Sequence, residues 1–398
     1  MMFALLLAAA FEKIALVDSL DFARIYDIET EKGSAELVDF LTCVHPTELW
    51  WRDKGGARMR YPSREESCPL EDCPFEKRRP PREDTWGYLR LNRSDVDLLA
   101  LARRQCLAKG WDFGIHTTFE ENHWCLELAS AWNLAHPQYG CAAYGGVQWM
   151  GPCSLAFPEV MEHKLRLVDE RLAYRPKAIF LDLWRCAGWS PALEYVEPVI
   201  AKWKARHPGE PVPADSWDEI AAEPVVRYFR AFSAKCRAAG VRFYVGWKPV
   251  RLANDPKPTE YCVDWGRILD WKGLAAEGVF DGVAPLSVVW SDKDPFGETL
   301  RLYRYVREVC GAKADAYFPV SAYDFYRYGI PSYAKATKLS KADVVRRLMG
   351  LAWEAGGRGV TFECVDYGNY SDAECRAIAE MLEKFKTVPS GGRESAQP

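Results

Sequence analysis

Along this chain, short apolar runs of strand length alternate with longer stretches in which apolar residues recur at helical spacing. Ile14 to Ser19 and Ala178 to Arg185 are of the first kind. Asp95 to Lys109 is of the second, with Val96, Leu99, Ala100, Ala102, Cys106 and Leu107 in helical register, Ser94 as N-cap and Gly110 as stop. The same reading predicts strands at Glu48 to Arg52, Asp112 to Thr118, Val241 to Trp247, Gly282 to Val289, Ala316 to Ala322 and Gly359 to Val365. Helices are predicted at Ser34 to Val44, Pro158 to Leu172, Pro224 to Ala239, Trp265 to Glu277, Pro295 to Cys310, Ser340 to Ala355 and Ser371 to Phe385.

Strand–helix units repeated eight times predict an α/β fold, a (β/α)8 TIM barrel with long loops after strands two, three and four. An open doubly wound sheet would carry a Gly-rich phosphate turn after its first strand, and Asp18 to Phe22 contains no glycine. The expected organisation is an apolar N-terminal segment over 1–12, a single barrel domain over 13–387 and a flexible tail over 388–398. Met1 to Ala10 reads either as the remnant of a secretory signal peptide without its basic n-region or as an apolar lead-in packed under the barrel. The first reading favours a secreted or periplasmic location over a cytoplasmic one. No other stretch is long enough to span a membrane.

The segment Ala178 to Arg185 is chemically the most informative. It is an apolar strand that ends on an acid, an indole and a guanidinium, and period two puts Phe180, Asp182 and Trp184 on one face. A carboxylate is costly to bury inside such a run unless it is paired or lies at an open strand end. In parallel α/β proteins those ends are where ligands bind. The other strand ends supply Asp18, Trp51 and Arg52, His116, Trp247 and Lys248, Ser287 and Trp290, Tyr323 and Asp324, then Glu363 and Asp366. Beyond strand three lie Glu120, Glu121 and His123.

Acids at several strand ends with aromatics between them suit glycosidic-bond chemistry. One carboxyl protonates the leaving oxygen while another stabilises or attacks the oxocarbenium-like centre. Asp182 and Glu363 form the sharpest pair, because strands four and eight face each other across a barrel; Glu120 is the alternative proton donor. Trp184, Trp247 and Trp290 are placed to stack on sugar rings, with Trp51 and Asp18 beside them. Arg52, His116, Arg185 and Lys248 are placed to hold hydroxyls or an acidic substituent, and Asp324 is a further expected substrate contact. Asp182 could instead pair with Arg185 or a neighbouring strand's cation, and Glu363 with Lys248 or Arg52. His116 could equally be a satisfied core histidine, and Trp132 and Trp353 read as packing.

Composition narrows the classes. A net charge of −4 gives no basic footprint for nucleic acid, and 16 Trp with 19 Tyr exceed what packing alone asks for. The 13 Cys are scattered; Cys106, Cys236, Cys310 and Cys375 read as small buried hydrophobes. Cys68 and Cys73 form a local disulfide or half a metal site, but no second pair supports zinc. There is no Gly-x-Ser-x-Gly elbow, no phosphate-cradling loop and no His-x-His on strand one. No cofactor or metal is therefore expected. The expected partner is a carbohydrate substrate, with no nucleic acid and no membrane span; the oligomeric state is left open.

The chain resembles the bacterial glycoside-hydrolase-like barrel proteins known as family-10-like glycosyl hydrolases. The residues that carry the resemblance are Leu155 to Val160 leading into a helix, Ala178 to Arg185 with its acid, Val196 to Pro198, and Gly356 to Val360 entering the last strand. It spans most of residues 14–386 and implies a carbohydrate-associated barrel. Retaining barrel glycosidases place glutamates after strands four and seven, where this chain has Asp182 and Asp324. A glycoside hydrolase acting on a polysaccharide or complex glycan is thus the leading expectation. A non-catalytic carbohydrate-binding barrel is the second, and an isomerase or lyase for small sugars the third.

Overall fold

The computed structural model describes residues 11–18, 22–23, 25–55, 58–66, 96–119, 130–183, 191–214, 218–246, 269–285, 294–322, 329–363 and 370–387. Strands β1 (Glu12–Val17), β2 (Glu48–Arg52), β5 (Asp112–Thr118), β8 (Ala178–Asp182), β9 (Arg242–Gly246), β10 (Gly282–Val283), β11 (Asp315–Pro319) and β12 (Gly359–Glu363) form a closed barrel. Every neighbouring pair is parallel, and β1 closes the ring against both β2 and β12. Helices intervene between successive strands, which makes this the (β/α)8 barrel predicted from the repeat.

Local chemistry starts the helices where the chain needs them. Thr30, Asp97, Asp294 and Ser340 each accept a hydrogen bond from a backbone N–H three residues on, and Pro158 and Pro295 occupy first-turn positions. Asp97 is the cap of Leu98–Ala108, not Ser94, which lies outside the described residues. The helix expected to begin at Pro224 runs instead over Asp218–Ala238 with Pro224 inside it. Proline is favoured in a first turn, so the local signal misplaced the start. Three short helices were not anticipated: Ala131–Ala135, in the loop expected after strand three, Glu197–Arg206, in the loop expected after strand four, and Ile330–Thr337. Two antiparallel hairpins also lie in segments read as loop, β3 (Lys54–Gly55) with β4 (Arg58–Met59) and β6 (Gly140–Ala142) with β7 (Gln148–Cys153).

The barrel interior is a compact cluster of Ile14, Leu16, Trp50, Ala178, Phe180, Tyr244, Ala284 and Tyr317. Trp50 stacks on Phe180 at 4.8 Å and lies 5.2 Å from Tyr244 and 6.3 Å from Tyr317, centroid to centroid. Four large rings on one axis require small neighbours. A Cβ on Gly114 would lie 2.3 Å from Trp50 Cδ1, and one on Gly282 2.4 Å from Tyr244 Cε1. The alternate residues of each strand, such as Ile115, Ile179, Leu181, Phe243, Val245 and Phe362, face outward into the larger core beneath the helices. Trp353 packs there against Phe385 at 4.7 Å, and Trp132 stacks on His163 at 4.3 Å, in keeping with their packing assignment. Cys106, Cys236 and Cys310 are buried as expected, while Cys375 is only half-buried.

An ionic cluster closes the N-terminal end. Glu12 accepts hydrogen bonds from Tyr317 Oη at 2.6 Å and from Arg358 Nε and Nη2 at 3.0 and 2.7 Å. Glu48 accepts from Trp50 Nε1 at 2.8 Å and from Arg242 Nη2 at 2.5 Å. Burial raises the Glu12 carboxyl, but the bonds from Tyr317 and Arg358 outweigh it and hold the group below its ordinary 4.5. At Glu48 burial prevails over Arg242 and Trp50, and that carboxyl is raised. Polar clusters at this end of a barrel serve stability.

Two expectations follow from this packing. Gly114→Ala should lower stability by at least about 1–3 kcal/mol, because Trp50 is held on its other face and cannot retreat; guanidinium denaturation would read the loss. Glu12→Gln should lower stability near neutral pH by about 1.5–3 kcal/mol. A depressed carboxyl stabilises fully above its unfolded value, so the gap to wild type should narrow as pH falls below 4.5 through the lowered folded value. Denaturation curves across pH would show this; a pH-independent gap would contradict the linkage.

Candidate functional site

Strand parity decides which side chains reach the barrel mouth. On β2, Glu48 and Trp50 belong to the inner set, so Arg52 points inward and Trp51 outward. The same alternation carries Asp18 inward after Leu16 on β1, His116 after Gly114 on β5, Asp182 after Phe180 on β8 and Glu363 after Thr361 on β12. Register supports the levels: Arg52 lies opposite His116, Thr118 opposite Asp182, and Leu16 opposite both Trp50 and Glu363. Five successive staves of the barrel, β8, β5, β2, β1 and β12, therefore each present one ionisable side chain at or just past the carboxyl end. The next strand round from β8 ends on Gly246, opposite Asp182, and β10 leads into Ala284.

All five side chains are withdrawn from solvent: Asp182 is 0% exposed, Arg52 1%, His116 and Glu363 3%, Asp18 5%. Burial at that depth demands pairing. Arg52 Nη1 and Asp18 Oδ2 form an ion pair. His116 Nε2 is 3.2 Å from Asp182 Oδ2, and the imidazole lies 5.3 Å from the Phe180 ring, which floors the mouth. Around the wall the order is carboxyl, carboxyl, guanidinium, imidazole, carboxyl. Asp182 and Glu363 stand on β8 and β12, four strands apart in a ring of eight and thus on opposite sides.

Of the residues expected at the mouth, Asp18, Arg52, His116, Asp182 and Glu363 are brought together. Trp51 is a correction. It is fully buried in the outer core with Ile115 and Val17, because consecutive strand residues cannot share a face. Arg52, considered as a partner for Glu363, pairs with Asp18. Glu120, Trp184, Arg185, Trp247, Lys248, Trp290 and Asp324 lie outside the described residues, as do Glu121, His123, Ser287, Tyr323, Asp366, Cys68 and Cys73. Among the described residues no group of three or more His, Cys, Asp or Glu could hold a metal ion, and no helix is long and apolar enough to cross a membrane.

Sequence reasoning missed the polar frame around this wall. Arg171, in helix Pro158–Ala173, donates from Nε to Asp53 Oδ2 at 2.6 Å, just past β2, with both groups buried. Burial disfavours its charge, yet Asp53 leaves the guanidinium raised above its usual value. On the same helix, His163 sits with Nδ1 3.2 Å from Glu65 and Nε2 3.2 Å from Glu66, and Ser130 Oγ donates to Glu66 at 2.6 Å. Glu170 accepts from Ser63 Oγ at 2.6 Å and from Arg64 N at 2.7 Å. These contacts pin the segment beyond β2 to one helix. The acids and histidine have no periodic signature, since their partners come from 64 to 118 residues away in sequence, a separation that only folding closes.

A scan against protein-family models finds no match, and neither does a search of the curated proteins. Solved structures do match. The α-L-fucosidase isoenzyme 2 from Paenibacillus thiaminolyticus superposes with a TM-score of 0.55 at 13% identity, covering 95% of this chain and 49% of that one. The chain thus spans about half the length of that fucosidase. The PgaB (BpsB) glycoside hydrolase domain from Bordetella bronchiseptica gives a TM-score of 0.53 at 13% identity, covering 92% of this chain and 98% of that domain. At such identities the likeness is one of fold, and the fold in common is the barrel described above.

Proposed function

We propose that this barrel is a glycoside hydrolase acting on a polysaccharide or complex glycan, with the reaction centred on its carboxyl-end mouth. The observation that carries the reading is the placement of Asp182 and Glu363, two buried carboxyls at strand ends on opposite sides of the ring. Glycosidic cleavage asks for two carboxyls on either side of a sugar. Glu363 would give its proton to the departing oxygen. Asp182 would face the anomeric centre as nucleophile, base or charge stabiliser. Glu120 remains the alternative donor, and the aromatic and basic residues Trp184, Arg185, Trp247, Lys248 and Trp290, with the acid Asp324, complete the proposed substrate contacts. The solved structures described as a fucosidase and as a glycoside hydrolase domain share the fold and so support this reading, as does the resemblance to family-10-like glycosyl hydrolases.

A second reading, a carbohydrate-binding barrel without catalysis, rests on the aspartates at positions 182 and 324 where retaining barrel glycosidases carry glutamates. Assays on a panel of 4-nitrophenyl glycosides and soluble polysaccharides separate the two. Asp182→Asn and Glu363→Gln should each lower turnover by about 10²–10⁴-fold, with the fold retained by circular dichroism. Near-normal turnover in either folded variant removes that residue from the chemistry. Tight glycan binding by a wild-type protein that cleaves nothing on the panel selects the second reading.

A further inference from the structure

We propose that His116 has two jobs in this site: its Nε2–H holds the Asp182 carboxylate, and its Nδ1 accepts a hydrogen bond from a sugar hydroxyl. The proposal deepens the carbohydrate reading and rests on it. An ionised carboxylate can only accept, so the proposal assigns a proton to Nε2, 3.2 Å from Asp182 Oδ2. A neutral ring with its proton on Nε2 has a bare lone pair on Nδ1.

That second nitrogen is buried and meets no hydrogen-bond partner among the described residues, although the side chain is only 3% exposed. Buried polar atoms are nearly always satisfied. This buried acceptor sits on the residue beside the Asp182 carboxylate, and a ligand group that donates would satisfy it. Hydroxyl groups of a saccharide are such donors; an ester or a phosphate dianion, which only accept, are not. The setting also keeps the ring still. Its ring is tilted against Phe180 at 54°, and its strand is hydrogen-bonded to β2 and β8 on both sides. Arg52, its register partner on β2, is engaged with Asp18.

Asp182 would thus be held by a neighbour that also reads the substrate. The two roles are separable, because amide side chains imitate one ring nitrogen each. In His116→Gln the terminal amide nitrogen can take the place of Nε2 and keep the bond to Asp182. In His116→Asn the shorter side chain can offer an acceptor near Nδ1 but does not reach Asp182.

The decisive experiment is ¹⁵N NMR of protein labelled at its six histidines, with His116 assigned by its loss in His116→Gln. The probes are the methyl glycosides of glucose, galactose, N-acetylglucosamine and fucose. His116 should show the Nε2–H tautomer, and at least one glycoside should move its bare Nδ1 resonance upfield. An Nδ1–H tautomer, or an Nδ1 resonance unmoved by a glycoside that binds with a measurable Kd, would overturn the proposal. This readout does not require turnover, so a protein that binds sugars without cleaving them still decides it. On a cleaved 4-nitrophenyl glycoside, His116→Gln should raise KM about tenfold with little change in kcat. His116→Asn should lower kcat about a hundredfold with KM nearly kept. Equal effects of the two variants on both constants would show that His116 is merely structural.

Discussion

Four aromatic rings from four different strands meet on the barrel axis, and the rest of the molecule is arranged around that contact. Trp50 is clasped by Phe180, Tyr244 and Tyr317, and the space they occupy forces glycine at the adjoining positions of β5 and β10. Once this layer is seated, the pleat of each strand dictates the next inward position above and below it. Below lie Glu12, Glu48 and Arg242; above lie Arg52, His116 and Asp182. The plug separates two polar ends that would otherwise share one water-filled channel, and it gives the mouth a floor in the face of Phe180.

The two ends handle buried charge differently. At the N-terminal end, acids and guanidinium groups are matched within a tight cluster, and the hydroxyl of Tyr317 adds a further donor to Glu12. At the mouth, the cation Arg52 answers Asp18, while Asp182 is met by a histidine, a group whose charge is conditional. In the tautomer proposed for His116, a neutral imidazole orients that carboxylate without cancelling its charge.

Around this wall the segment beyond β2 is fastened to a single helix, Pro158–Ala173, through Asp53 with Arg171, Glu65 and Glu66 with His163, and Glu170 with Ser63. That helix follows the hairpin β6–β7 and precedes β8, the strand that carries Asp182. The frame and the candidate site are therefore contiguous in the chain as well as in space. Rigid support of this kind is what holds reacting groups in productive geometry.

The sequence by itself determined the architecture and much of the wall's membership. Alternating strand and helix periods specified the barrel, and the boundaries of β2 and β5 could be read residue for residue, because local spacing reports local burial. It also singled out Asp18, Arg52, His116, Asp182 and Glu363, each an ionisable group closing an apolar run. It could not choose between Trp51 and Arg52, since a strand buried on both faces shows no polar side to reveal its parity. It also misplaced the start of Asp218–Ala238, where a proline imitates a first turn. Who pairs with whom was decided only by tertiary structure. Asp18 meets Arg52 across 34 residues and His116 meets Asp182 across 66, contacts set by strand order and register around a closed ring. Local periodicity encodes which face a residue takes; only closure of the barrel brings those faces together.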